Sequence, residues 1–449
     1  MIAIDAPFAQ IIKETDDLAA SLQEPSAAAD IRRDGLIGAR TLPKPDKRLE
    51  AWRRSNPDWF LPELSRPFVL AEDKIAIGFL AGASEFQKDF QELGINLLTE
   101  EKDAKQRIEF AEGAAADTPE LTALSMNQAL KRSSLPPAGF FRAEQHQKDL
   151  ACALNAALRT GGAYVSLKPE ARLEQPLYIR HQAVCPQRAS SEEQSLFFSH
   201  SLIEASKPCK AVVIEDFTSA PAQALKAHNL TEIDLSQGAE LTYVMIGGWD
   251  EAVSCLNTVN ARLGRDASLK VIFIGLGGGL TKTFFSEDLN QPGARTQIYG
   301  TVAASGRQSF DNDTFIHHKA PSCYSDVLFN CAVDDRARSV FAGNILVDGC
   351  AQLTDAYQKN QNLLLSPEAK AESMPKLEII ADDVRCTHGA SFTEYDENQL
   401  FYLQSRGLSE REAKAMLTEG FFREVIEKTG CPLTADWLSR RIADKLTRS

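Results

Sequence analysis

Ala239-Glu240-Leu241, Ala267-Ser268-Leu269 and Ala294-Arg295-Thr296 each open a segment of alternating β-branched and aromatic residues, and their spacing decides the fold. The interval is roughly 28 residues, within the range of about 20 to 50 that marks stacked repeats. The same phrase occurs at Ala211-Val212-Val213, again about 28 residues before the next, and at Ala171-Arg172-Leu173 and Ala337-Arg338-Ser339, where the outer intervals are near 40. Each repeat has the texture of strand rather than helix, so the segments are read as coils of a parallel β-helix or a related β-solenoid. One coil cannot bury its own inner face, whereas stacked coils bury a continuous column. A β-sandwich with coincidental spacing is the alternative.

Helical periodicity is absent from about Ala163 to Ser391, which places the β core at 161–392. Residues 1–160 read as a helical, loop-rich region. Ile11, Ile12 and Leu18 form an amphipathic pattern, Leu42-Pro43-Lys44-Pro45 breaks the chain, and Ala-rich stretches run from Leu98 to Lys131. The last helix of this region is expected over Asp149 to Arg159, ended by Gly161 and Gly162. Residues 393–449 read as a helical unit. Asp396 with Gln399 and Ser409 with Glu412 are capping-box pairs, Gly407 ends the first helix and Gly420 interrupts the second. Thr434 caps a last helix carrying Leu438, Ile442 and Leu446.

The 449 residues include 62 acidic and 49 basic side chains, a net charge of −13. That balance argues against phosphate-backbone binding as the main task, and no nucleic-acid partner is expected. No apolar run approaches the roughly 20 residues of a membrane helix. The start, Met1-Ile2-Ala3-Ile4-Asp5-Ala6-Pro7, lacks a secretory pattern, so a cytoplasmic chain with reduced thiols is expected. The nine cysteines contain no Cys-x-x-Cys pair, which removes zinc-ribbon and thioredoxin readings.

The chemistry concentrates in Asp382-Asp383-Val384-Arg385-Cys386-Thr387-His388-Gly389-Ala390. Residues i and i+2 of a strand share a face, so Cys386 and His388 are able to meet one metal ion, substrate or partner group together. Other motifs fall away. Gly275-Leu276-Gly277-Gly278-Gly279-Leu280-Thr281-Lys282-Thr283 lacks the adjacent Gly-Lys-Ser/Thr of a phosphate loop, so no ATP is expected on this chain. A carbohydrate-cleaving β-helix would need clustered carboxylates, and the neighbouring Asp382 and Asp383 face opposite sides of a strand. His317, His318, Cys323, Cys331 and Cys350 occupy the same late β region and form a speculative set of metal ligands. In the C-terminal unit, Phe401, Tyr402, Met416, Leu417, Phe421 and Phe422 exceed what so small a unit needs. They are read either as packing onto the β core or, with Arg406, as a partner-binding face.

Several stretches carry a family resemblance. They are Phe341-Ala342-Gly343-Asn344-Ile345-Leu346-Val347, Ala351-Gln352-Leu353-Thr354-Asp355-Ala356-Tyr357-Gln358, Asn362-Leu363-Leu364-Leu365-Ser366, Pro375-Lys376-Leu377-Glu378-Ile379, the Cys386-x-His388 segment and Leu400-Phe401-Tyr402-Leu403-Gln404-Ser405-Arg406-Gly407. Together they resemble the SufB/SufD family of iron–sulfur cluster assembly proteins. Gly389 stands where SufB members carry Glu, and Cys386 where SufD members carry theirs, so the resemblance leans to SufD. Ser391-Phe392-Thr393 departs from the family's more Gly-containing turn.

The resemblance implies a right-handed parallel β-helix flanked by helical regions. It also implies a non-catalytic scaffold in a complex with SufB and the ATPase SufC, the C-terminal helices docking SufC and the β-helix pairing with SufB. Cys386 and His388 would then lie where iron or a transient iron–sulfur cluster is handled at the SufB–SufD interface. Flavin binding, and a homodimer of the chain alone, stay open. A purely architectural subunit with no ligands of its own, or a SufB-like paralogue, are the alternatives.

Overall fold

The computed structural model describes residues 6–63, 66–79, 116–117, 120–132, 149–185, 193–206, 208–430, 435, 438–442 and 445. Two long sheets face each other, and from Ala163 to Thr393 successive strands alternate between them, each coil contributing one strand to each sheet. Pairing within this stretch is parallel throughout. In one sheet Glu240 pairs with Ser268, Ser268 with Arg295, Arg295 with Tyr324, Tyr324 with Asp355 and Asp355 with Arg385. Along this series the coil is a 27- to 31-residue unit, and the expected solenoid is the fold.

The alanine phrase has a physical cause. The amides of Ala239, Ala267 and Ala294 each donate to the carbonyl three residues back, closing a tight corner. The residue before each, Gly238, Asp266 and Gly293, has positive φ, and the alanine behind it is fully buried. Ala337 also donates to the carbonyl three residues back, but there the positive φ falls on Asp335, and the alanine opens the strand Arg338–Val347 of the opposite sheet. Ala211 lies inside the strand Cys209–Ser219. The wide interval before Ala337 arises from this change of sheet, whereas that after Ala171 reflects a longer first coil, in which Arg172 pairs with Lys210.

Three expectations are corrected. The N-terminal region is not only helices and loops. Its strand Glu72–Phe79 pairs antiparallel with Leu177–Val184, and Leu121–Ser125 pairs antiparallel with Ala163–Leu167. Those reversals end the coil at its N-terminal side, as an exposed edge requires. Gly420 interrupts nothing, because one helix runs from Glu410 to Glu427. The Leu98–Lys131 stretch, as far as it is described, contains the short strands Ala116–Asp117 and Leu121–Ser125 and the start of the helix Met126–Arg132, while Thr434, Leu446 and most of that stretch lie outside the described residues.

Each sheet is covered on its outside. The helix Leu150–Leu158, capped by Asp149, is buried along its whole length, and Trp52 and Phe60 join it over the longer sheet. On the other sheet Phe422, Val425 and Ile426 pack on Val244, Ile272, Tyr299 and Leu328.

Candidate functional site

The two terminal strands, Lys370–Ile379 and Val384–Thr393, pair on one side only, with Arg338–Val347 and Thr354–Leu364, and have no further neighbour among the described residues. The register shows where their side chains point. Cys386 is the last member of the column Leu241, Leu269, Thr296, Ser325, Ala356. His388 ends the column Tyr243, Val271, Ile298, Val327, Gln358. Every residue beneath them is buried, so thiol and imidazole both face the inside of the coil, at its open mouth.

Contacts lower in the stack identify what stands opposite. Thr296 donates to the Glu287 carboxylate across the lumen, and the Phe329 and Phe341 ring centroids lie 5.0 Å apart. Carried upward along the columns, these place Leu377 across from Cys386 and Ser373 across from Ala390. The mouth is therefore an apolar rim holding one thiol, one imidazole and one hydroxyl. Leu353, Ile379, Ile380 and Phe392 expose large apolar surface at the same end. Burial, then the nearby Asp355 carboxylate, raises the Cys386 thiol above its ordinary range, so it stands protonated at neutral pH, whereas His388 is exposed.

As ligands the pair is incomplete. Closed metal sites take about four donors, and no group of three or more His, Cys, Asp or Glu placed to hold a metal ion exists among the described residues. The late His and Cys residues do not converge. His317 faces outward and meets Asp348 at 2.9 Å, while His318 turns inward to Ser325 at 2.9 Å, its ring pushed down to about 4 by burial. Cys331 is buried in the lumen, Cys323 at a corner, and Cys350 is exposed on a turn. The glycine-rich segment is a corner between the strands Ser268–Gly275 and Leu280–Leu289, where side chains at Gly277 and Gly279 would strike the Trp249 and Glu251 carbonyls.

One group of residues went unread in the sequence. On the strand beneath the mouth, Gln358, Asn360 and Asn362 replace Val327, Phe329 and Cys331 of the preceding coil. The signal was present as amides at every second position of Gln358-Lys359-Asn360-Gln361-Asn362. One coil before the lumen opens, this wall presents three amides in a row.

A second exposed feature lies just beyond. The helix Glu397–Ser405 is capped by Asp396, which accepts from the Asn398 amide, and it buries none of its residues. Phe401 is 72% and Tyr402 55% exposed, and the Arg406 guanidinium lies 5.1 Å from the Tyr402 ring centre. Ser409 and Glu412 form the full capping box of the next helix. On that helix Met416 is exposed, Leu417 and Phe421 are half-buried and Phe422 is fully buried. Phe422 is thus a core residue packed on the sheet, not part of a partner-binding face.

A solenoid of parallel coils that opens on a thiol–imidazole pair and carries a projecting helical unit defines a class of β-solenoid protein with helical flanks. The family model for the SufBD core domain of SUF-system FeS cluster assembly matches residues 187–421, and the chain belongs to that family. It is 31% identical over 264 residues to an iron–sulfur cluster assembly SufBD family protein of Mycobacterium leprae, covering 57% of this chain and 66% of that protein. The iron–sulfur cluster assembly protein SufD of Escherichia coli is 29% identical over 275 residues, covering 61% and 64%. That of Bacillus subtilis is 27% identical over 278 residues, covering 62% of each. The matched part is less than two thirds of the length of each relative. Among the described residues no helix is long and apolar enough to cross a membrane.

Proposed function

We propose that the chain is the SufD-type scaffold of an iron–sulfur assembly complex, in which the open end of the solenoid pairs with a SufB-type subunit. In this reading the C-terminal helices dock an ATPase of the SufC type, and ATP is hydrolysed there and not on this chain. The observation that carries the reading is the C-terminal end of the solenoid, where parallel strand edges, exposed apolar side chains and two donor side chains come together, whereas the N-terminal end is overlaid by antiparallel strands. Two donors are too few to hold a metal alone, and a partner's surface is the natural source of the rest. The nascent cluster is cargo in this scheme, held transiently at the junction in a cytoplasmic complex.

A purely architectural role is the second reading, and the protonated state of the Cys386 thiol favours it, because only thiolate ligates. Co-expression with SufB- and SufC-type partners tests both. His388→Ala is expected to leave the three-subunit complex intact by size and to abolish cluster delivery to an apo-acceptor. Unchanged delivery would leave only the architectural role.

A further inference from the structure

The column that ends on His388 is aliphatic or aromatic in its lower rungs, through Tyr243, Val271, Ile298 and Val327, and becomes an amide only at Gln358, the direct register partner of His388. Gln358 is 2% exposed. Its Nε2 donates across the lumen to the Lys376 carbonyl at 3.1 Å and toward the Gly343 carbonyl at 3.5 Å. The carboxamide lies against Gly343, where any β-carbon would collide with it, so the absence of a side chain at that position makes room for the amide. The Gln358 Oε1 atom is buried without a hydrogen-bond partner. A lone buried acceptor costs about 1–3 kcal/mol, a penalty that methionine or leucine here would avoid. An amide placed at such cost, on the residue one rung beneath an imidazole, keeps an acceptor that no donor meets in the structure.

We propose that Gln358 is the positioning residue for His388. Its carboxamide, fixed crosswise between the two sheets, accepts the ring N–H of His388 and so decides which ring nitrogen faces the mouth as a lone-pair donor. The proposal rests on the reading of His388 as a donor toward iron. A histidine ligand is oriented and made more basic by such a partner on its other nitrogen, and loss of the partner lowers metal affinity about 10- to 100-fold.

The test uses the full-length, metal-free chain with 15N-labelled histidine, the His388 ring signals being assigned by their absence in His388→Ala. Wild type is expected to hold His388 in one tautomer at mildly alkaline pH. Gln358→Met, which continues the aliphatic column and is expected to fold, should give a mixture, and Gln358→Glu, which keeps an acceptor, should restore one tautomer. Should the methionine variant not fold, Gly343→Ala displaces the same carboxamide and should also give a mixture. Equal tautomer ratios in wild type and in the folded variant overturn the proposal. Cobalt(II) titration then separates this role from the donor reading. Affinity should fall about 10- to 100-fold in Gln358→Met and recover in Gln358→Glu. Cobalt uptake that His388→Ala leaves unchanged overturns the donor reading, whatever the tautomer result.

Discussion

Nδ1 of His181 lies 3.0 Å from Oδ2 of Asp73, joining the first long strand of the solenoid to the antiparallel strand that closes its N-terminal end. On its other side Nε2 meets Glu215 at 3.0 Å, and Tyr243 and Thr231 donate to the second oxygen of that carboxylate. All three charged side chains are fully buried. Burial alone would discharge the imidazole, yet the two carboxylates outweigh it and hold the ring up at about 10. Burial likewise opposes Glu215, and the His181 contact overcomes it, leaving that carboxyl below its usual range.

The folded pKa of His181 is raised, so the stability it contributes is complete below the unfolded value of 6.5 and is lost as pH rises through about 10. Asp73→Asn is expected to cost about 3–5 kcal/mol at neutral pH, because it leaves a buried charge underpaired. Urea unfolding at pH 7 and above pH 10 measures this. The gap between wild type and variant should shrink at the higher pH, and a gap independent of pH would refute the charged network.

Lys282 makes a comparable junction on the outside of the longer sheet. Its ammonium is fully buried, 2.9 Å from Asp311 and 2.5 Å from Asp313, and 5.4 Å from the Trp52 ring centre. Ser55 donates to Asp311, and Arg54 and Arg338 share Glu372. The N-terminal segment is thereby fastened from the middle of the sheet to its terminal strand. Lys282→Met would strand two buried carboxylates together, a loss of about 3–5 kcal/mol. Limited proteolysis should then cut near residues 50–60 first, and an unchanged cleavage pattern would show that the segment is held by apolar contacts alone.

Paired substitutions on the C-terminal helices distinguish core from docking surface. Phe422→Ala should destabilise by about 3–5 kcal/mol, since it empties a filled site between helix and sheet. Phe401→Ser with Tyr402→Ser should change the unfolding midpoint little, because both rings already stand in water, but should abolish capture of a SufC-type ATPase in a pull-down. Retained capture would move the docking surface elsewhere.

The sequence was most informative where physics is local. The period of two placed Cys386 and His388 on one face, and the corner alanines revealed stacked coils, because both follow from a few adjacent residues. The Ser409–Glu412 capping box was legible for the same reason. What stayed hidden depends on distant partners. Asp73 and His181 are 108 residues apart in the chain, and nothing near either announces the pairing. Strand Glu72–Phe79 belongs to a sheet only because the first coil needs its edge closed. Gly420 was read as a break, but it lies on an exposed helix face and nothing stands within 4 Å of where its β-carbon would be, so the helix continues.

The state of Cys386 gives the most direct test of the open end. Its thiol is half-buried and raised, whereas Cys350 stands exposed on a turn and the thiols of Cys255 and Cys331 are sealed in the lumen. Alkylation under native conditions, mapped by mass spectrometry, should modify Cys350 first, Cys386 more slowly and with a rate that climbs as pH is raised, and the lumen cysteines only on unfolding. Adding a SufB-type partner should protect Cys386 and leave Cys350 reactive. If the partner shields Cys350 and not Cys386, the subunits meet along the side of the solenoid, and the thiol at its mouth has no part in the junction.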